Sequence, residues 1–145
     1  MRIIVYKIPT TEKILYNLGF LLDKICKTYK IGVFCDKDNV GLVDKILWTF
    51  SSNIFLPHDI AGDDCIVNNQ NPVLISCDFD KIQRKVVCVL TVDDLFFVKQ
   101  HSLNCEIENI IYITQFDKDV EEIKLKNTND VLDIFIKQNK QWIKV

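Results

Sequence analysis

No glycine stands between the first predicted strand, RIIVYKI, and the helix that follows it; the turn reads Pro9-Thr10-Thr11. A nucleotide site needs glycine there, because only glycine lets backbone approach a pyrophosphate closely. Neither GxGxxG nor GxxxxGKS occurs anywhere in the chain. A cofactor-binding dinucleotide enzyme is therefore disfavoured, whatever the fold, and no cofactor is expected.

Positive charge is also in short supply. The net charge is −2 and the pI is acidic, so the basic stripe that neutralises phosphates in a general nucleic-acid binder is missing. Contact with DNA would have to run through a partner. No apolar run reaches the roughly 18–20 residues of a membrane span. The opening MRIIVYKIPTTEK has neither a long apolar h-region nor a small-residue cleavage site. The expected compartment is the cytoplasm, with no membrane partner. Six cysteines occur (Cys26, Cys35, Cys65, Cys77, Cys88 and Cys105), but none is spaced as CxxC, which removes zinc-knuckle and thioredoxin-like readings. Cys35, Cys77 and Cys88 lie in or beside apolar runs, where a free thiol acts as a small hydrophobe. Without a secretory signal a disulfide framework is not expected.

What is present is an α/β rhythm. RIIVYKI is β-branched and bounded by Pro9, which reads as a strand. Thr10 or Thr11 can cap the helix carried by Ile14, Leu15, Leu18, Leu21, Leu22 and Ile25, with Gly19 a mild cost inside it. IGVFC is an apolar run typical of a strand buried on both faces. Asp36 to Asn39 supply cap and turn, and Val40, Val43, Ile46 and Leu47 form a second helical stripe ending near Trp48. Strand, helix, strand, helix is a βαβ unit. PVLISC, KVVCVL and NIIYIT read as further strands, and Leu95 to Phe97 as a short helix or turn. In the tail, Val120, Ile123 and Leu125 fall near one helical face, and Thr128 restarts a turn before Val131, Ile134 and Phe135, so the tail reads as helix. No repeat, low-complexity segment or linker interrupts residues 1–145. A single three-layer α/β domain with a mostly parallel central sheet is expected.

The long irregular segment between Phe50 and Pro72 contains IFLPHDIAG. Pro57 cannot donate a backbone hydrogen bond and pushes Leu56 toward extended geometry. Phe55, Leu56, Pro57 and His58 thus sit on punctuated backbone close after Trp48. A cysteine nucleophile at Cys35 with His58 as base is one reading, but no acid partner or oxyanion feature is legible. Asp63-Asp64 and Asp93-Asp94 read as caps or solvated turns, and His101, between Gln100 and Ser102, as surface. A metal at His58 and Cys65 would be short of ligands. Trp48 with Phe55, Leu56 and Pro57 makes an apolar cluster larger than one loop needs. It is read either as a core plug or, because such residues anchor interfaces, as a docking surface.

VYKI, the long helix, IGVFC, VDKILW, FLPH, AG and NPVLIS follow one another in an order that resembles the chi subunit of bacterial DNA polymerase III. The family's pattern falls on Asp44, Leu47, Trp48, Phe55, Pro57, His58, Ala61, Gly62, Pro72 and Val73, while Val43 stands where the family more often has leucine. The resemblance implies a Rossmann-like domain without nucleotide or catalytic role. It implies an accessory of the clamp loader that bridges the psi subunit, where present, to the acidic C-terminal tail of single-stranded-DNA-binding protein. On that reading Trp48, Phe55, Leu56, Pro57 and His58 form a docking surface. The family's tail-binding patch uses Arg, Lys and an aromatic near the last helix. Here that region, EEIKLKNTNDVLDIFIKQNKQWIKV, has no arginine, and Lys124, Lys126, Phe135, Lys137 and Trp142 are candidates by chemistry. The alternative is a small-ligand or nucleotide-binding α/β domain.

Overall fold

A computed structural model describes residues 1–61, 70–102, 106–127 and 129–145; Gly62, the Asp63-Asp64 pair, Cys65, Cys105 and Thr128 lie outside the described residues. In chain order the elements are β1 (Arg2–Lys7), α1 (Ile14–Ile25), β2 (Ile31–Phe34), α2 (Lys37–Thr49), β3 (His58–Ile60), β4 (Val73–Ser76), a 3₁₀ turn (Phe79–Lys81), β5 (Val86–Val89), α3 (Val92–His101), β6 (Asn109–Thr114), α4 (Asp117–Lys126), β7 (Val131–Gln138) and β8 (Gln141–Lys144). The strands form one eight-stranded sheet ordered β3-β4-β2-β5-β6-β1-β7-β8. Neighbours pair in parallel except β7 with β8.

The continuous apolar runs have a direct consequence. Every residue of β2, β4 and β5 is buried, as parallel strands covered on both faces require. Alternate side chains point to opposite faces. Ile31, Val33, Val73, Ile75 and Cys88 pack with Leu18 and Leu22 of α1 and with Val43 and Leu47 of α2. Phe34, Val87, Val89, Ile110 and Tyr112 pack with Leu95 and Val98 of α3 and with Val120 and Ile123 of α4. The fold is thus mixed α/β around a mostly parallel sheet.

Three local expectations change, and a fourth, the short helix at Leu95 to Phe97, is borne out and lengthened. The chain past α4 is not helix but a β-hairpin, with β7 added in parallel beside β1. Its turn is Asn139-Lys140, both at positive φ (48° and 66°), the backbone of a two-residue primed turn. His58 lies on the edge strand β3 and not in a loop. Neither Thr10 nor Thr11 caps α1; the cap position is Lys13, without a side-chain bond, and the Asn17 amide donates to the Lys13 carbonyl at 3.1 Å. Leu95 to Phe97 belong to the ten-residue α3, whose Thr91 hydroxyl accepts from the Asp94 N–H.

Gly19 is more than a mild helix cost. A Cβ there would lie 2.4 Å from Phe50 Cγ, so its absence sets how closely the end of α2 approaches α1. Gly19→Ala should lower stability by about 1–3 kcal/mol through overpacking, although alanine is the better helix former. Thermal melting checks this; a variant that melts at or above wild type would show that the Phe50 ring swings clear.

Candidate docking surfaces

The family-like motif becomes one packed constellation. Asp44 and Trp48 lie one helical turn apart on α2 and share a face. The Trp48 ring rests 4.6 Å from that of His58 and 5.8 Å from that of Phe55, centre to centre. The His58 side chain is fully buried: its Nδ1 bonds the Leu56 carbonyl at 2.7 Å, and its Nε2 faces Asp44 Oδ1 at 3.1 Å without the alignment of a good hydrogen bond. In register, His58 stands opposite Val73, so the spaced motif residues meet across β3 and β4.

Of the five candidates, two are surface. Trp48 is 56% exposed and Phe55 69%, whereas Leu56 is 1% exposed and packs in the core with Leu47. Pro57 is half-buried. The expectation that Leu56 and His58 belong to the exposed patch is corrected. They are its foundation, a buried knob and a buried ring that hold the Trp48–Phe55 pair in place. No local pattern in the sequence separates Phe55 from Leu56, yet the first is exposed and the second lies in the core.

The cysteine–histidine reading fails on geometry. His58 pairs at the start of β4, while Cys35 follows the end of β2, its N–H bonding the Ser76 carbonyl. The two are separated by about four residues along the strands, on the order of 13 Å. Burial, aided by Asp36 and Asp94, pushes the Cys35 thiol up to about 12, far from the thiolate a nucleophile needs. At the strand ends where α/β proteins take ligands, the helix starts carry the chain's own acids: Asp36 and Asp38 on α2, Asp93 and Asp94 on α3, Asp117 and Asp119 on α4. Asp119 Oδ2 already accepts from the Tyr112 and Thr114 hydroxyls at 2.9 and 2.8 Å. His101 is exposed, as expected of surface, and stacks on Phe97 at 3.9 Å.

The C-terminal candidates do not form one patch, because the sheet passes between them. Lys124 and Lys126 sit on α4, engaged by Glu121 and Glu122, with Lys126 also over the Phe96 ring at 4.8 Å. Phe135, Lys137 and Trp142 face the other side, with Tyr6 between the two rings: Tyr6 stacks on Phe135 at 5.2 Å and meets the edge of Trp142 at 5.0 Å. Lys137 is a clasp. Its ammonium donates to Glu12 Oε1 at 2.5 Å and to Asn17 Oδ1 at 2.7 Å, tying the hairpin to α1. The bond from Lys137 holds the Glu12 carboxyl below its ordinary pKa.

Between α1 and the hairpin run two adjoining cavities of about 290 and 360 Å³, which share Leu21, Lys24 and Trp142. Lys24 and Lys140 line this groove and were not singled out from the sequence; nothing in their local pattern sets them apart from other exposed lysines. Among the described residues no helix is long and apolar enough to cross a membrane.

No curated protein matches the chain. Residues 3–126 match the family model of the DNA polymerase III chi subunit, HolC, so the match takes in the Asp44–Trp48–Phe55–His58 constellation and stops where α4 ends. The chain belongs to the DNA polymerase III chi subunit family, an accessory subunit family of the replicative polymerase.

Proposed function

We propose that the chain is a non-catalytic adaptor of the replicase, a single Rossmann-like three-layer domain over residues 1–145 that works in the cytoplasm. It links the clamp loader to single-stranded-DNA-binding protein and meets DNA only through these partners. The observation that carries this reading is the Trp48–Phe55 pair: two large aromatic side chains, more than half exposed, in mutual contact on a rigid buried base. Aromatic side chains presented in this way are what interface anchors look like. The pair is the docking surface for the psi subunit, where that partner exists, with Leu56, Pro57 and His58 holding it in place. The acidic tail of the single-stranded-DNA-binding protein is assigned to the sheet face of Phe135, Lys137 and Trp142. On the opposite face Lys124 and Lys126 are already engaged by neighbouring glutamates and are dropped from the tail site.

A small-ligand or nucleotide site draws no support from the strand ends, where aspartates meet three of the helix N-termini that a phosphate would need. The high thiol pKa of Cys35 and its distance from His58 favour an absence of cysteine chemistry.

The test is capture of purified single-stranded-DNA-binding protein by the immobilised chain, with and without the partner's last residues. Capture of the intact partner alone, weakening as salt rises because the charge contacts are screened, is the expected result. Equal capture of both forms, or of neither, would remove the link.

A further inference from the structure

The sheet ends on β8, and among the described residues no strand pairs on its outer side. The hairpin fixes which backbone groups face that open edge. The Val145 N–H donates to the Ile134 carbonyl at 2.9 Å, and in register Ile143 stands opposite Ile136 and Gln141 opposite Gln138. Hydrogen-bonded and non-hydrogen-bonded pairs alternate along an antiparallel ladder, so Gln141, Ile143 and Val145 turn their N–H and C=O groups toward β7. Trp142 and Lys144 turn theirs outward. Such an edge is a template for one more strand, and QWIKV carries no proline to block it.

The side chains of the edge alternate in the same way. Trp142 and Lys144 lie on the sheet face of Lys137 and Phe135, their partners in register, and the Lys144 ammonium pairs with Asp133 at 3.1 Å. Ile143 and Val145 lie on the other face, where they are 45% and 76% exposed. Across the hairpin they adjoin Ile136 and Ile134. The last two strands thus leave an aliphatic strip open to water at the end of the sheet, where an edge is ordinarily blunted by charge or proline.

We propose that β8 pairs antiparallel with β8 of a second copy of this chain, about a two-fold axis at Ile143, joining two eight-stranded sheets into one. The outward groups of Trp142 and Lys144 can meet those of a second copy in more than one register, and charge selects among them. Centring on Trp142 sets Lys144 against the second copy's Lys140, and centring on Lys144 sets the two Lys144 side chains together; like charges directly opposed are destabilising. Centring on Ile143 opposes Lys144 to Trp142, a cation to an aromatic ring, and Gln141 to Val145. It also brings the two Ile143 side chains together as a close, non-hydrogen-bonded pair and makes the two aliphatic strips continuous. The pairing of so short a strand stays below the roughly 1,000 Å² of a stable interface, so the dimer is weak and forms at high concentration. Because β3 is the opposite edge of the sheet, each copy keeps its Trp48–Phe55 pair open, and the dimer presents two such surfaces up to about 70 Å apart. None of this rests on the adaptor reading.

The test is sedimentation velocity of the full chain from low to high micromolar concentration. Wild type should move from monomer to dimer. Lys144→Pro removes an outward N–H and leaves the ladder with β7 intact, as proline on an edge strand can. Lys144→Ala is its control, losing the Asp133 ion pair but keeping the N–H. The proline variant should dimerise roughly tenfold more weakly than the alanine variant, because each copy loses one interface hydrogen bond. Register is read by oxidative crosslinking. Ile143→Cys should give a disulfide-linked dimer, since a close antiparallel pair lies within disulfide span. Val145→Cys should give no more than wild type, in which the exposed Cys77 sets the background. Melting curves confirm that each variant folds. A monomer at every concentration overturns the proposal and leaves the edge to an extended segment of another protein. A dimer no weaker with proline than with alanine, or one that crosslinks as readily through Val145→Cys as through Ile143→Cys, puts the contact elsewhere and overturns it too.

Discussion

Trp48→Ala should weaken complex formation by about 2 kcal/mol or more, close to thirtyfold in Kd, and leave the free protein nearly as stable as before. More than half of the indole is already in water, so truncation removes little core; the His58 ring beneath it keeps its bonds to Leu56. A partner that covers the indole would desolvate it fully and lose that contact in the variant. Titration calorimetry with the psi subunit, or with the clamp-loader complex where psi is lacking, paired with a melting curve, reads both quantities. A large drop in melting temperature with unchanged affinity would make Trp48 a core cover and end its role as an anchor.

Leu56→Ala should do the converse, lowering folding stability by about 2–5 kcal/mol. Leu56 is buried to 1% among Leu47, Val43 and the β4 residues Val73 and Ile75, and alanine would leave a cavity beneath the strand that carries His58. A surviving fold should still bind partner at low temperature, because Phe55 and Trp48 are untouched. Urea unfolding measures the effect. A loss below about 1 kcal/mol would mean that the segment collapses to fill the space, and that the base of the docking surface is soft.

These adjacent residues show how far the sequence could be read. IGVF, VLIS and VVCV announced strands because a run with no polar face has only one place in such a fold, the middle of the sheet. The aromatic cluster was legible as a cluster, but its division into exposed Phe55 and buried Leu56 depends on which way the backbone enters β3. That strand pairs through three residues on one side only, too short a stretch to imprint a pattern. The hairpin was hidden for another reason. Val131, Ile134 and Phe135 have helical spacing, and in VLDIFIKQ apolar side chains occur on both faces: Leu132 and Ile134 meet one core cluster while Phe135 meets Tyr6. Alternation is therefore masked, and the better signals were β-branching and an Asn at a turn that demands positive φ. The division of the lysines between two faces was not legible at all, since only the sheet separating Lys126 from Lys137 creates it.

The position of β1 bears on how the molecule is made. Its two neighbours in the sheet pair Arg2 with Asn109 and with Val131, so both come from the last third of the chain. At roughly 5–20 residues per second, a nascent RIIVYK segment waits between about 5 and 20 s for its first partner. The block from β2 to β5 pairs within residues 31–89 and can assemble during that interval, because its loops close over shorter distances. The apolar β1 can seat between β6 and β7 only after both of those strands have been made. Until then its unpaired edge is open to chaperones and to aggregation, and the hairpin that walls the groove cannot form its seam with the sheet before that step is complete.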